Sequence, residues 1–223
     1  MTTSFAERFR LPKAGRTDEA HGQAPPPPPR PTREEAEDAV RTLLAWAGDD
    51  PSRAALADTP RRVAEAFLEY FEGYHHDPIA LLQGSTFENA SAYDDIVMLR
   101  DVRFTSYCEH HVSPFQGHAH VAYIPDGPIV GLSRIARVVE VLAHRLQTQE
   151  NLTSQIAAAI DSALKPRGVA VLLEAEHSCM SARGIRHAGV ATITTQFSGL
   201  FATDDARANR FLMLARGGQG SER

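Results

Sequence analysis

Ile96-Val97-Met98-Leu99-Arg100-Asp101-Val102-Arg103-Phe104 and Gly117-His118-Ala119-His120-Val121-Ala122-Tyr123-Ile124 are the two stretches whose reading decides the fold. Both are rich in β-branched and apolar residues, and Pro125-Asp126-Gly127-Pro128 follows the second as a turn signal. They read as neighbouring strands. Residues 169–175 and 191–197 read as two more, the last with Thr192, Thr194 and Gln196 on its alternate face. Helical patterns lie between the pairs. Ser133 stands at the cap of a long helix with Ile135, Val138, Val139, Val141 and Leu142 inward. A second covers residues 151–164 and stops near Pro166-Arg167-Gly168, and a short one fits residues 205–214. Strands interleaved with long helices predict an α+β fold.

Upstream of this unit the pattern is helical. Thr32 with Glu35 three residues on is a capping-box pair, and Ala36, Ala39, Val40, Leu43, Leu44 and Ala47 follow at helical spacing. Gly48-Asp49-Asp50-Pro51 ends that helix. A second helix is expected at Thr59-Pro60, with threonine as N-cap and proline first in the helix. Residues 1–31 are polar and carry a run of prolines from Pro25 to Pro29, which joins neither helix nor sheet. Too few apolar groups offset the entropy of ordering this tail, so it is expected to be disordered. The organisation expected is a tail over 1–31, a helical extension over 32–94, a main domain over 95–216 and a flexible terminus over 217–223.

The bulk composition narrows the function. Of 223 residues 43% are hydrophobic, enough for one good core or two small ones. A formal net charge of -5 gives no basic field, which argues against nucleic acid as a partner. With no apolar run of membrane-spanning length and no apolar signal core, no membrane is expected and a cytoplasmic location is. In that compartment the 2 cysteines, Cys108 and Cys179, are thiols or metal ligands before they are a disulfide, a single bridge being the alternative.

Cys108 and His111 have the C-x-x-H spacing that lets one turn bring both side chains to one ion. Cys179 follows at the end of another predicted strand, beside His177. Thiolate and imidazole together favour zinc over magnesium or calcium. Three ligands leave one coordination position for water, which is how catalytic zinc is built. The alternative is a closed structural site with His110 or His177 as fourth ligand. An imidazole beside the metal is also a natural proton carrier, a role open to His110 and His177.

Gly131-Leu132-Ser133-Arg134-Ile135-Ala136-Arg137 sets a serine and two arginines at a helix start, a phosphate-binding arrangement. Ser181-Ala182-Arg183-Gly184-Ile185-Arg186 adds positive charge just after Cys179. Gln149-Glu150 lies between two helical stretches, where a carboxylate could accept the N1–H and amino donors of a guanine edge.

Taken together these residues resemble the GTP cyclohydrolase I family. The likeness runs from Thr32 to Leu214 and is carried by Ser106-Tyr107-Cys108-Glu109-His110-His111, Val121-Ala122-Tyr123-Ile124-Pro125, Gly131-Leu132-Ser133, Gln149-Glu150, Glu174-Ala175-Glu176-His177, Cys179 and Ala182-Arg183-Gly184. Asp58-Thr59-Pro60 with Arg62-Val63-Ala64 is similar to the family's early helix. The resemblance implies Zn2+ on Cys108, His111 and Cys179, choosing His111 over His110. It implies attack of water at C8 of guanine, protonation through His110 with His177 assisting, and release of formate and 7,8-dihydroneopterin triphosphate. Gln149 and Glu150 would hold guanine, and Ser133, Arg134, Arg137, Arg183 and Arg62 the triphosphate. The implied fold is the tunnelling fold (T-fold), an antiparallel sheet backed by helices. The implied assembly is a homodecamer with sites at subunit interfaces.

Three positions depart from the family pattern. Arg134 replaces the usual lysine, changing a point charge into a planar fork. Glu65 stands where relatives place a basic residue, and Leu146 where a proline is common. Two other readings compete. A reductase on the same fold would want a free nucleophilic cysteine, and a non-catalytic module would use zinc only for stability. A nucleobase deaminase is disfavoured, since the H-x-E and P-C-x-x-C pairing is absent.

Overall fold

The structure, a computed structural model, describes residues 29–83, 86–87, 93–127 and 129–217. The expected tail up to residue 28, Pro128 and the terminus beyond Gly217 lie outside the described residues. In chain order, α1 (Arg33–Trp46), α2 (Thr59–Tyr70) and α3 (Pro78–Gln83) come first. A two-residue β1 (Thr86–Phe87) precedes the long β2 (Val97–Cys108) and β3 (Ser113–Ile124). Then follow β4 (Ile129–Val130), α4 (Leu132–Ala143), β5 (Leu146–Gln147), α5 (Gln149–Leu164) and β6 (Gly168–His177). The chain ends with α6 (Ser178–Ser181), β7 (Ala191–Phe197), α7 (Leu200–Thr203) and α8 (Asp205–Arg216).

The main sheet has the order β5-β2-β3-β6-β7, and β1 pairs with β4 separately. Four strands are antiparallel, but β5 pairs parallel to β2 through Tyr107↔Leu146 and Cys108↔Gln147. The expected all-antiparallel sheet is therefore mixed. The cause is α4, which carries the chain back along the sheet so that β5 continues in the direction of β2. Both long strands also run further than expected, β2 through Cys108 and β3 from Ser113.

Side chains alternate across the strands, and each face finds its own cover. Val121, Tyr123, Val171 and Leu173 meet Ile135, Val138, Leu142, Leu152 and Ile156 of α4 and α5 in the larger core. Ala122, Ile124, Ala170 and Leu172 meet Phe201 and Phe211 from α7 and α8 in a smaller one. Helices thus back the sheet on one face entirely and on the other at one end. In β7 the alternate face carrying Thr192, Thr194 and Gln196 is half-buried against α5.

The capping box forms as read, with the Thr32 hydroxyl accepting from Glu35 N–H and Glu35 accepting from Thr32 N–H. The other two caps move by one or two residues. Asp58, not Thr59, precedes α2, and Gly131 precedes α4, which places Ser133 inside the first turn. Thr148 caps α5 through Asn151 N–H, so that helix begins at Gln149 rather than 151. Helix α1 packs on α2 yet buries no residue completely, leaving Leu43 65% and Trp46 88% exposed.

At the bulge between Leu99 and Val102, Asp101 adopts φ 60 and its N–H points to Nδ1 of His120 at 3.4 Å. His120 is buried, and burial lowers its proton affinity despite the opposing charge of Asp101. A base whose affinity is lower folded than unfolded binds more protons when unfolded. Stability is therefore complete above about pH 6.5 and declines as the pH falls below it. Urea midpoints measured from pH 7.5 down to 5 should show this decline, and His120→Gln should flatten it.

Candidate metal centre and substrate pocket

The Cys108-Glu109-His110-His111 segment is the turn of the β2–β3 hairpin. Cys108 pairs with Ser113 across it, and Val112 N–H donates to Cys108 C=O at 2.8 Å. Val112 takes φ 51, a costly conformation for a β-branched residue that persists only where its surroundings impose it. Glu109 N–H donates to Gln147 C=O at 3.0 Å and ties the turn to β5. The hairpin is thereby held at both flanks.

Cys179 reaches this turn from just beyond the end of β6. Strand β6 lies beside β3 with Phe115 opposite His177, and α6 then turns Cys179 back over the hairpin. The ligand atoms of Cys108, His111 and Cys179 all lie within 4.8 Å of one another. Both cysteines are free thiols, so the bridged alternative is not what the structure holds. Burial and the neighbouring Cys108 thiol push the Cys179 thiol up. Two sulfurs forced together in this way resist joint ionisation until a cation sits between them. Two sulfurs and one imidazole are the donor set that zinc favours, so the residues fit the metal implied by the sequence.

The two adjacent histidines separate by position. His110 Nδ1 is 3.8 Å and His111 Nδ1 3.9 Å from Cys108 Sγ, but only His111 also comes within reach of Cys179. The His110 side chain is 66% exposed, with Nε2 3.9 Å from Glu109 Oε1. It borders the cluster and faces open space.

His177 is more tightly held. Its ring stacks on Phe115 at 4.5 Å between centroids with 2° between planes. Its Nε2 lies 2.8 Å from Oε1 of Gln149. Burial lowers its proton affinity, and Glu150 nearby partly opposes that. Gln149 is itself buried, and its amide nitrogen donates to Leu173 C=O, Thr192 C=O and Thr194 Oγ1 at 3.2, 2.9 and 3.2 Å. The guanine contact expected of Gln149 has to be set beside this inward orientation, which the sequence did not announce.

The basic residues divide into two groups. Arg183 lies close enough to Cys179 to favour its thiolate. Ser133 and Arg134 open α4, after β3 has run its 12 residues away from the hairpin. Val130 N–H donates to the Tyr123 hydroxyl at 3.3 Å, which keeps the start of α4 near the end of β3 remote from the metal cluster of the same chain. Arg137 pairs with Glu140 at 2.8 Å, and Arg62 with Asp58 at 3.4 Å on exposed α2. Glu65 is held by Arg33 and Arg61 at 2.6 and 2.8 Å. One chain thus gathers Cys108, His110, His111, Gln149, Glu150, His177, Cys179 and Arg183, and sets the remaining phosphate candidates elsewhere.

The chain is similar to known proteins along most of its length. Proteins described as GTP cyclohydrolase 1 are 57% identical over 185 residues in Hyphomonas neptunium and 55% over 185 in Maricaulis maris. These alignments cover 83% of this chain and 89% and 90% of the relatives. The counterpart of Sinorhizobium fredii is 57% identical over 189 residues, 84% of this chain and 91% of its own. Among solved structures, an archaeosine synthase QueF-Like in the apo form overlays with a TM-score of 0.38 at 22% identity, covering 47% of this chain and 93% of its own. That likeness is too slight to bear on the fold. The sequence pattern of GTP cyclohydrolase I matches residues 36–216, and the chain belongs to that family.

Proposed function

We propose that the protein converts GTP and water into 7,8-dihydroneopterin triphosphate and formate, the first step of pterin and tetrahydrofolate synthesis. With family membership given, the observation that carries the reading is the ligand count: two thiols and one imidazole, one short of a closed tetrahedral site. Zinc held by Cys108, His111 and Cys179 would supply Lewis-acid polarisation and a water whose pKa falls from about 15.7 to roughly 7.

The chain's own groups do the rest. His110, exposed beside the cluster, carries a proton to the imidazole ring of guanine and so makes C8 electrophilic. His177, held between Phe115 and Gln149, assists. Glu150, at the start of α5, accepts from the guanine N1–H and amino group. Arg183 meets the substrate's negative charge beside Cys179.

Ser133, Arg134, Arg137 and Arg62 are proposed to hold the triphosphate from neighbouring copies, since one chain keeps α4's start at the far end of the sheet. A homo-oligomer with sites at its interfaces follows, in keeping with a toroidal decamer of T-fold subunits. Two surfaces suit it. Strand β7 is a sheet edge with Ile193 59% exposed, and the apolar groove of about 780 Å³ along α1 and α2 is open. In this reading residues 32–94 serve assembly and supply Arg62, and residues 95–216 carry the rest of the catalytic site. Among the described residues no helix is long and apolar enough to cross a membrane. A cytoplasmic location is part of this reading, and the formal net charge of -5 supports a small-molecule substrate over nucleic acid.

The test is turnover. Zinc-loaded protein incubated with GTP should release formate together with a product that fluoresces after oxidation to the pterin. Neither signal, with zinc bound and the oligomer intact, refutes the enzyme reading and leaves the zinc-stabilised module.

A further inference from the structure

We infer that Gln149 is a positioning residue for His177. Through a chain of fixed hydrogens it makes Nε2 the donor and leaves Nδ1 as the nitrogen that faces substrate chemistry. This rests on the proposed participation of His177 in turnover.

The hydrogens can be assigned from their partners. Thr153 Oγ1 donates to Gln149 C=O at 2.7 Å, so its one hydrogen is committed. The 2.6 Å contact between Thr153 and Thr194 must then use the Thr194 hydrogen. That leaves Thr194 Oγ1 as an acceptor for the Gln149 amide, whose NH2 also faces the carbonyls of Leu173 and Thr192. Carbonyls accept only, so the amide nitrogen has to point at them and its oxygen at His177. At 2.8 Å from an oxygen that only accepts, Nε2 of His177 must carry hydrogen. The stack on Phe115 fixes the ring plane, and the bond to Gln149 fixes its rotation within that plane. A partner that sets which ring nitrogen carries hydrogen acts on the imidazole without touching substrate.

Gln149 is therefore occupied on both ends of its amide by this chain, and guanine recognition at the start of α5 falls to Glu150. A direct guanine contact and a positioning role give opposite kinetic signatures. Loss of a contact equal in ground and transition states raises KM alone, whereas a loosened His177 lowers kcat.

Solid-state 15N NMR of histidine-labelled protein without substrate, with His177 identified by its loss in His177→Ala, should show a hydrogen-bearing Nε2 and a bare Nδ1. A hydrogen on Nδ1 instead overturns the inference without reference to activity. Gln149→Met should keep zinc and oligomer, lower kcat by about 10- to 100-fold and change KM by less than about 3-fold. A rise in KM with kcat unchanged would return Gln149 to the guanine edge. If His177→Ala keeps full turnover while the wild-type ring still shows hydrogen on Nε2, the catalytic role of His177 fails and the positioning geometry stands.

Discussion

Exchanging Cys179 for serine should lower GTP turnover by at least about 10³-fold, because water at neutral pH then loses the activation that a complete zinc site supplies. Cys179 is one of only two sulfurs in the cluster. A serine hydroxyl does not ionise near neutral pH and offers zinc a harder, weaker donor. The fold should survive, since Cys179 is only half-buried in the one-turn α6. Cys108→Ser should lose zinc too and cost stability besides, for Cys108 is 6% exposed within the larger core. Metal analysis per chain, circular dichroism and formate release separate these outcomes. A serine variant at 179 that keeps both zinc and turnover contradicts the ligand assignment.

His110→Ala should behave in the opposite way, keeping zinc and losing about 10²- to 10⁴-fold in turnover, the usual contribution of a positioned proton carrier. Its side chain is 66% exposed and touches the buried Cys108 sulfur only at 3.8 Å, so thermal stability should hardly change. Substrate should still bind. Should the variant lose zinc while His111→Ala keeps it, ligand and proton carrier have been exchanged. The structure favours the assignment made, because His111 and not His110 lies within reach of both sulfurs.

Much of this was readable from sequence because the signals are local. The Thr32–Glu35 capping box, the apolar and β-branched run of β3 and the C-x-x-H spacing at Cys108 each lie within a dozen residues. What stayed hidden depends on distant partners. Strand β5 is two residues long and carries no periodicity; it exists because α4 delivers Leu146 and Gln147 to the end of β2. Gln149 reads as lying between two helical stretches, yet two of its partners lie 24 and 43 residues away. Alternation puts Thr192, Thr194 and Gln196 on one face of β7 but does not show that this polar face receives α5. Spacing suggested one basic cluster beside the metal, whereas the direction of β3 sends Ser133 and Arg134 to the other end of the sheet. Only topology distinguishes those two placements.

An open zinc position at the β2–β3 turn is what would make the site catalytic rather than structural. X-ray absorption at the zinc edge of the purified protein, without substrate, reads it directly. The expected coordination is two sulfurs near 2.3 Å, one imidazole nitrogen and one water oxygen near 2.0 to 2.1 Å. Two sulfurs with two imidazole nitrogens and no oxygen would mean a closed structural site, with His110 or His177 as the fourth ligand, and would contradict the catalytic reading.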